Sequence, residues 1–313
     1  MSKTDDNPIL ITSYINPDLD GVAGAYAYAE FLSAPGKNAI AVAFGAPHTE
    51  AQFSLNRFHI KLPDGEKLYK KSSKVILIDV SEPNWLSSTI DPKNVIEVID
   101  HRKVHTVEKF SNAKSQIELV GACATLVAER LIEANFKMSK EAAAMLYLAI
   151  ASNTINFKAK VTTDRDRGAA KYLKAKGKVT DELLHEMFKH KSTFIKPLKE
   201  VFDEDNAVVY LGPITQSIIQ LEIVEVDKFI DENLAEIKKI LNEIKKRDKL
   251  NYIYLTCIDI EKGENTFVVA DKDSEEVFSK IMNLRFINGV VPHPIIMRKE
   301  MIAMFKEYFE GKK

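Results

Sequence analysis

Three apolar runs in the N-terminal part of the chain each end on aspartate. "ILITSYI" breaks at Asn16-Pro17 and delivers Asp18 and Asp20, "VILID" ends at Asp79, and "VIEVID" ends at Asp100 and runs into His101 and Arg102. Carboxylates crowded onto one edge repel one another unless a cation neutralises them. Carboxylate oxygens together with an imidazole nitrogen suit Mn²⁺, Mg²⁺ or Zn²⁺. On a turn, the spacing Asp18-x-Asp20 lets the two side chains address different ions, and a pair of ions can clamp both the attacking water and the leaving oxygen in phosphoryl transfer. An aspartate after a buried strand is also a common helix N-cap or turn residue. A single one decides nothing, but three strand ends together with an Asp-His pair favour a metal.

The elements that position these residues are read from the hydrophobic pattern. "PILITSYI", "NAIAVAFG", "KVILIDV" (Lys74 to Val80) and "VIEVID" (Val95 to Asp100) are predicted strands, and the Val/Ile-rich ones belong to a parallel sheet covered on both faces. A helix is predicted from Val22 to Leu32, and longer ones over "ACATLVAERLIEANF" and "SKEAAAMLYLAIASNT". This alternation implies an α/β fold with a doubly wound, mostly parallel sheet. Ligands bind outside the carboxyl ends of such strands, which is where the aspartates fall.

After "KGKVTDELLHEMFKHKSTFIKPLKE" the character changes. Strands "AVVYLG" and "SIIQLEIV" flank a turn at Gly212-Pro213, and "VDKFIDENLAEIKKILNEIKKRDK" is a long amphipathic helix. "NYIYLTCIDI" and "NTFVVAD" form a strand pair around "EKGEN", and "RKEMIAMFKEYFEGKK" is a final helix. The expected organisation is two domains, one over residues 1–190 that carries the acidic residues and a smaller α/β one over residues 197–313, to which the resemblance given below assigns metal-binding catalysis and substrate binding respectively.

Composition narrows the class. The 313 residues are 45% hydrophobic, enough for a full core, and carry 44 Lys plus Arg against 45 Asp plus Glu. A net charge of -1 argues against holding a nucleic acid polymer by bulk charge. Cys123 and Cys257 lie in apolar surroundings at no metal-ligand spacing, which predicts buried free thiols in a reducing compartment. No apolar run reaches membrane-spanning length and "MSKTDDNP" lacks a signal-peptide core, so a soluble cytoplasmic protein with no membrane partner is expected. His59, His105, His185, His190 and His293 stand apart from the acidic residues and read as solvated or hydrogen-bonding side chains, with His105 the one nearest His101. "TTDRDR" (Thr162 to Arg167) reads as a capped helix start, and Trp85 as a packing residue.

Together, "NPDLDG", "LIDVSE", "VIDHR" and "SNTINFKAKVTTDRD" resemble the successive motifs of the DHH phosphoesterase superfamily, and most closely its manganese-dependent (family II) inorganic pyrophosphatases. "GAPHTEAQFSLNRF", "ELVGACATLVAERL" and "GVVPHPIIMRKEMI" extend the likeness over nearly the whole chain, the last resembling the Arg-Lys motif of a DHHA2 domain. The resemblance implies Asp18, Asp20, Asp79 and His101 as the catalytic metal-binding set. Asp18 and Asp79 would hold one ion and Asp20, Asp79 and His101 the other, with Asn153 at a further ligand position. Asp100 would orient His101, and Arg102, Lys158, Arg298 and Lys299 would bind substrate phosphates.

The departures are specific. Tyr14, Val80 and Arg102 stand where the family pattern has histidine, and Asn153 where it has aspartate. A phenol is a poor ligand unless deprotonated, and an amide coordinates without charge. One ion held well and one weakly is the expectation, as Mn²⁺ or Mg²⁺ at one or two per chain. A basic residue expected near Ala207 is missing, with Lys196 or Lys199 as substitutes. The Asp-His-Arg variant also resembles prune-type, exopolyphosphatase-like relatives.

The implied function is metal-dependent hydrolysis of a phosphoanhydride, inorganic pyrophosphate or a short polyphosphate, in a cleft between the two domains, with a homodimer through the DHH domain possible. The alternatives are a degenerate homologue that binds phosphate or nucleotide ligands without turnover, and a phosphodiesterase acting on small nucleotides.

Overall fold

The computed structural model describes residues 7–71 and 73–311. The chain divides into two compact units, one ending at Lys191 and the other beginning at Ser192.

In the first unit the elements run β1 (Ile9–Thr12), α1 (Leu19–Ser33), β2 (Ala39–Ala41), α2 (Thr49–Arg57), α3 (Gly65–Leu68), β3 (Lys74–Ile78), β4 (Val95–Asp100), β5 (Lys114–Ile117), α4 (Cys123–Glu133), α5 (Lys140–Asn153), α6 (Asp164–Gly177) and α7 (Asp181–Lys191). The sheet has the order β2-β1-β3-β4-β5 and every pairing is parallel. The direction of winding therefore reverses between β1 and β3, and the crevice at such a switch point is where open α/β sheets bind ligands. The central strands are apolar on both faces, with Leu10, Val75, Leu77 and Val98 completely buried. Helix α5 is buried along nearly its whole length from Ala142 to Ser152, as its Ala-rich, unpatterned sequence requires.

The first helix begins earlier than the pattern suggested. Asp18 is its N-cap, with Oδ1 accepting the Gly21 N–H at 3.1 Å, so Asp20 lies in the first helical turn and not on a loop. Gly21 is required there, because a Cβ would come within 2.3 Å of Ser13 Oγ.

The second unit comprises α8 (Leu198–Glu204), β6 (Ala207–Leu211), β7 (Ile214–Ile223), α9 (Val226–Arg247), β8 (Tyr252–Asp259), β9 (Glu264–Val268), α10 (Lys272–Met282), β10 (Val290–Pro294) and α11 (Arg298–Glu310). Its mixed sheet runs β10-β9-β8-β7-β6, with only β7 and β8 parallel. Alternate residues of β8 serve opposite faces. Ile253, Leu255 and Cys257 pack with Ile237, Ile240 and Leu241 of α9, while Tyr254 packs with Phe278 of α10 and Phe305 of α11. Both cysteines are free and buried. No helix of the described residues is long and apolar enough to cross a membrane.

Candidate metal centre

Three residues from three elements meet at the carboxyl ends of β3 and β4. Asp20, Asp79 and His101 each present a ligand atom, and these atoms all lie within 4.8 Å of one another. His101 Nε2 is 3.3 Å from Asp79 Oδ1 and 3.8 Å from Asp20 Oδ2.

Each side chain is held by a different device. Asp20 is fully buried and sits over the N-terminus of α4, where Ala122 offers no capping side chain. Its Oδ2 and Oδ1 accept the N–H groups of Cys123 and Ala124, both at 2.7 Å, so a residue of α1 caps a helix a hundred positions away. Asn153 adds a third donor, its Nδ2 lying 2.6 Å from Asp20 Oδ2. The amide thus turns its N–H toward the carboxylate, and Asn153 supports Asp20 in this arrangement.

Asp79 leaves β3 in the left-handed region at φ 60. A non-glycine residue held there marks a position fixed by its surroundings, and such positions cluster at functional sites. Its Oδ1 is buried and faces His101 Nε2 at 3.3 Å. Burial lifts its carboxyl to about 6, against the pull of His101 and Arg102. Asp20 is raised too, first by burial and then by the charge of Asp79.

His101 Nδ1 lies 2.9 Å from the Val120 carbonyl, so Nδ1 carries a proton and Nε2 faces the two carboxylates. Burial alone would lower the imidazole, but the hydrogen bond to Asp79 and the charges of Asp20 and Asp79 outweigh it and lift it to about 10. Asp100 acts on the backbone of His101, not on its ring. One oxygen accepts the His101 N–H at 2.7 Å and the other accepts Ser81 Oγ at 2.5 Å.

Asp18 is half-buried, caps α1 and stands outside the group of three. Tyr14 Oη accepts the Asp18 N–H at 3.2 Å, and burial, followed by the charges of Asp18 and Asp79, pushes its phenol far above the ordinary range, so it stays protonated. Arg102 lies against Asp79, with Nη2 3.4 Å from its carbonyl and 3.6 Å from Oδ2, and its guanidinium stacks 4.4 Å over the Trp85 ring. Trp85 is 43% exposed, so it is a platform for Arg102 and not the packing residue its sequence suggested.

The remaining candidates are not members of that group of three. Lys158 follows three consecutive left-handed residues, Ile155, Asn156 and Phe157, that lie just beyond α5. In the second unit Arg298 Nη1 is held by Asp205 Oδ2 at 2.7 Å, and Lys299 is exposed. His59, His105 and His190 are exposed, His190 against the Phe53 ring, and none joins the metal-capable group. "TTDRDR" starts a helix capped as expected, and the cap is a reciprocal box between Thr163 and Asp166.

Val120 and the α4 amides were not foreseen, because a backbone carbonyl or N–H carries no residue-type signal. The donor set fits a hard or borderline divalent cation: two buried carboxylates and an imidazole with its other nitrogen fixed by a carbonyl.

The site is carried by an α/β fold, and residues 8–150 of the chain are similar to the DHH family, N-terminal domain. That stretch contains Asp18, Asp20, Asp79 and His101. Over nearly full length the chain is 28% identical to the manganese-dependent inorganic pyrophosphatase of Bacillus subtilis, covering 94% of this chain and 96% of that protein. It is 26% identical to a protein of Clostridium acetobutylicum assigned the same activity, covering 97% and 99%. Among solved structures, a Methanococcus jannaschii protein assigned as a family II inorganic pyrophosphatase superposes with a TM-score of 0.65 at 25% identity, covering 96% and 99%. An exopolyphosphatase-related protein of Bacteroides fragilis shares the fold with a TM-score of 0.51 at 14% identity, covering 97% and 92%.

Proposed function

We propose that this chain hydrolyses a phosphoanhydride bond in a small substrate, inorganic pyrophosphate or a short polyphosphate, using Mn²⁺ (or Mg²⁺) held by Asp20, Asp79 and His101. The observation that carries the reading is the buried Asp20–Asp79–His101 group, with Asp79 Oδ1 aimed into it 3.3 Å from His101 Nε2. Full-length similarity to manganese-dependent pyrophosphatases supports the substrate class. A divalent ion in this group supplies Lewis acidity toward a phosphoryl oxygen and lowers the pKa of a bound water.

The chain's own residues orient and neutralise. Water adds to one phosphorus, the bridging P–O bond breaks, and the departing phosphate keeps the bridging oxygen. Arg102 binds a phosphoryl oxygen through its planar fork, and half-buried Asp18 accepts a proton from water. Lys158 and, from the second unit (read as a DHHA2 domain), Arg298 and Lys299 bind the phosphate ends.

The test is phosphate release from pyrophosphate, tripolyphosphate and a nucleotide panel, with purified protein and Mn²⁺. Release from pyrophosphate or tripolyphosphate is expected, and Asp79→Asn should reduce it by at least about a hundredfold through lost metal affinity. Release from none of them, with Mn²⁺ still bound, would leave a binding protein without turnover.

A further inference from the structure

We infer that Arg102 takes the place of a second cation, so that this chain binds a single divalent ion through Asp20, Asp79 and His101. The inference rests on the metal reading above but not on any particular substrate.

The carboxylate of Asp79 faces two ways. Oδ1 lies 3.3 Å from His101 Nε2, inside the metal-capable group. Oδ2 lies 3.6 Å from Arg102 Nη2. A bridging carboxylate would place an ion on each side, but here one side already carries a positive charge. That charge is fixed. Arg102 Nη2 also approaches the Asp79 carbonyl at 3.4 Å, and Nε lies 3.6 Å from Asp100 Oδ1. The guanidinium carbon sits 4.4 Å over the Trp85 ring and 5.8 Å over the Tyr14 ring. Trp85 is tied to the strand-exit loop, because its carbonyl accepts the Ile15 N–H at 3.0 Å. Two aromatic faces and two carboxylates therefore hold one planar cation in place.

The flank it occupies has little else to offer an ion. Tyr14 Oη is engaged with the Asp18 N–H, and Asp18 spends Oδ1 on the cap of α1. A second divalent ion there would meet one half-exposed carboxylate and the repulsion of a neighbouring guanidinium. On the opposite flank, three donors preorganise Asp20 and a carbonyl fixes the His101 ring. Compared with an ion, a guanidinium has no exchangeable ligands and offers two parallel N–H groups to a phosphate.

The experiment counts ions. Chelator-stripped protein is titrated with Mn²⁺ by calorimetry, and electron paramagnetic resonance is recorded at saturation. One ion per chain is expected, with the hyperfine pattern of isolated Mn²⁺. Arg102→Gln should admit a second ion and produce an exchange-coupled spectrum, while Arg102→Lys should remain at one. Two coupled ions in the unaltered protein would overturn the inference and leave the metal-hydrolase reading standing. No ion at all would overturn both. A folded Arg102→Gln that still takes one ion would show that the guanidinium excludes nothing, which also overturns it. Should that variant fail to fold, the counts for the unaltered protein and for Arg102→Lys decide.

Discussion

Asp79 carries two burdens that an empty site does not offset. Its left-handed backbone costs about 1–2 kcal/mol in a residue with a Cβ. Its buried carboxyl is raised from 3.8 to about 6, first by desolvation. His101 is raised from 6.5 to about 10 by its carboxylate neighbours. Both groups bind protons more tightly when folded, so their contributions fall as pH rises. The Asp79 contribution is present below pH 3.8 and lost as pH rises through about 6, and that of His101 is present below pH 6.5 and lost through about 10. Chelator-treated protein should therefore lose thermal stability from pH 4 toward pH 10, and Asp79→Asn, whose side chain tolerates the left-handed region, should flatten the acidic part of that profile. Mn²⁺ acts in the opposite sense, because it displaces the Nε2 proton of His101. Affinity should rise roughly tenfold per pH unit between pH 6 and 8. Calorimetric titrations at those two pH values check this, and equal affinities would show that no proton is displaced.

At the scale of elements, the aspartate beside it should behave in the opposite way. Asp20 caps α4 through the Cys123 and Ala124 N–H groups and accepts Asn153, so its loss strands three donors in a buried setting. Asp20→Ala should cost the metal-free protein roughly 2 kcal/mol, seen as a fall of several degrees in Tm, while Asp79→Asn lowers it little or raises it. A thermal melt of the two variants side by side separates a carboxylate that builds the fold from one that only serves the ion. This element-level role could not be seen in the sequence, since the partners lie 103 and 104 positions apart and are backbone groups. What could be read was whatever burial writes into residue type. Strands β1, β3 and β4 were visible because both faces are covered, and Asp79 and Asp100 marked the carboxyl ends of β3 and β4. Strand β5, "KSQI", was not, because it is a polar edge strand with two of its four residues exposed. The start of α1 was placed at Val22 because Pro17 and two aspartates look like a turn, whereas one of those aspartates is the cap itself. Arg102 could be seen as a departure from a histidine, but its stacking on Trp85 depends on a loop whose path no periodicity records.

Across the whole molecule, each unit has its own sheet and its own buried clusters, the first around Leu10, Val75 and Leu77 and the second around both faces of β8. In the reading proposed above, the metal group lies in the first unit and Arg298 and Lys299 in the second, so the two binding events should be separable in one chain. Mn²⁺ alone should slow amide hydrogen exchange at the ends of β3 and β4 and at the start of α4, where the Asp20–Asp79–His101 group is anchored, and leave the second unit unchanged. A non-hydrolysable imidodiphosphate added with Mn²⁺ should extend protection to the start of α11, where Arg298 and Lys299 lie. Exposed Lys299 gives the cleaner variant, because Arg298 is also bonded to Asp205 and its loss would disturb the second unit. Lys299→Ala should leave Tm unchanged and raise KM for pyrophosphate about tenfold or more, the loss of one charge-assisted phosphate contact. If the diphosphate protects only the first unit and Lys299→Ala leaves KM unchanged, the second unit has no part in holding substrate, and the phosphate contacts fall to Arg102 and Lys158 alone.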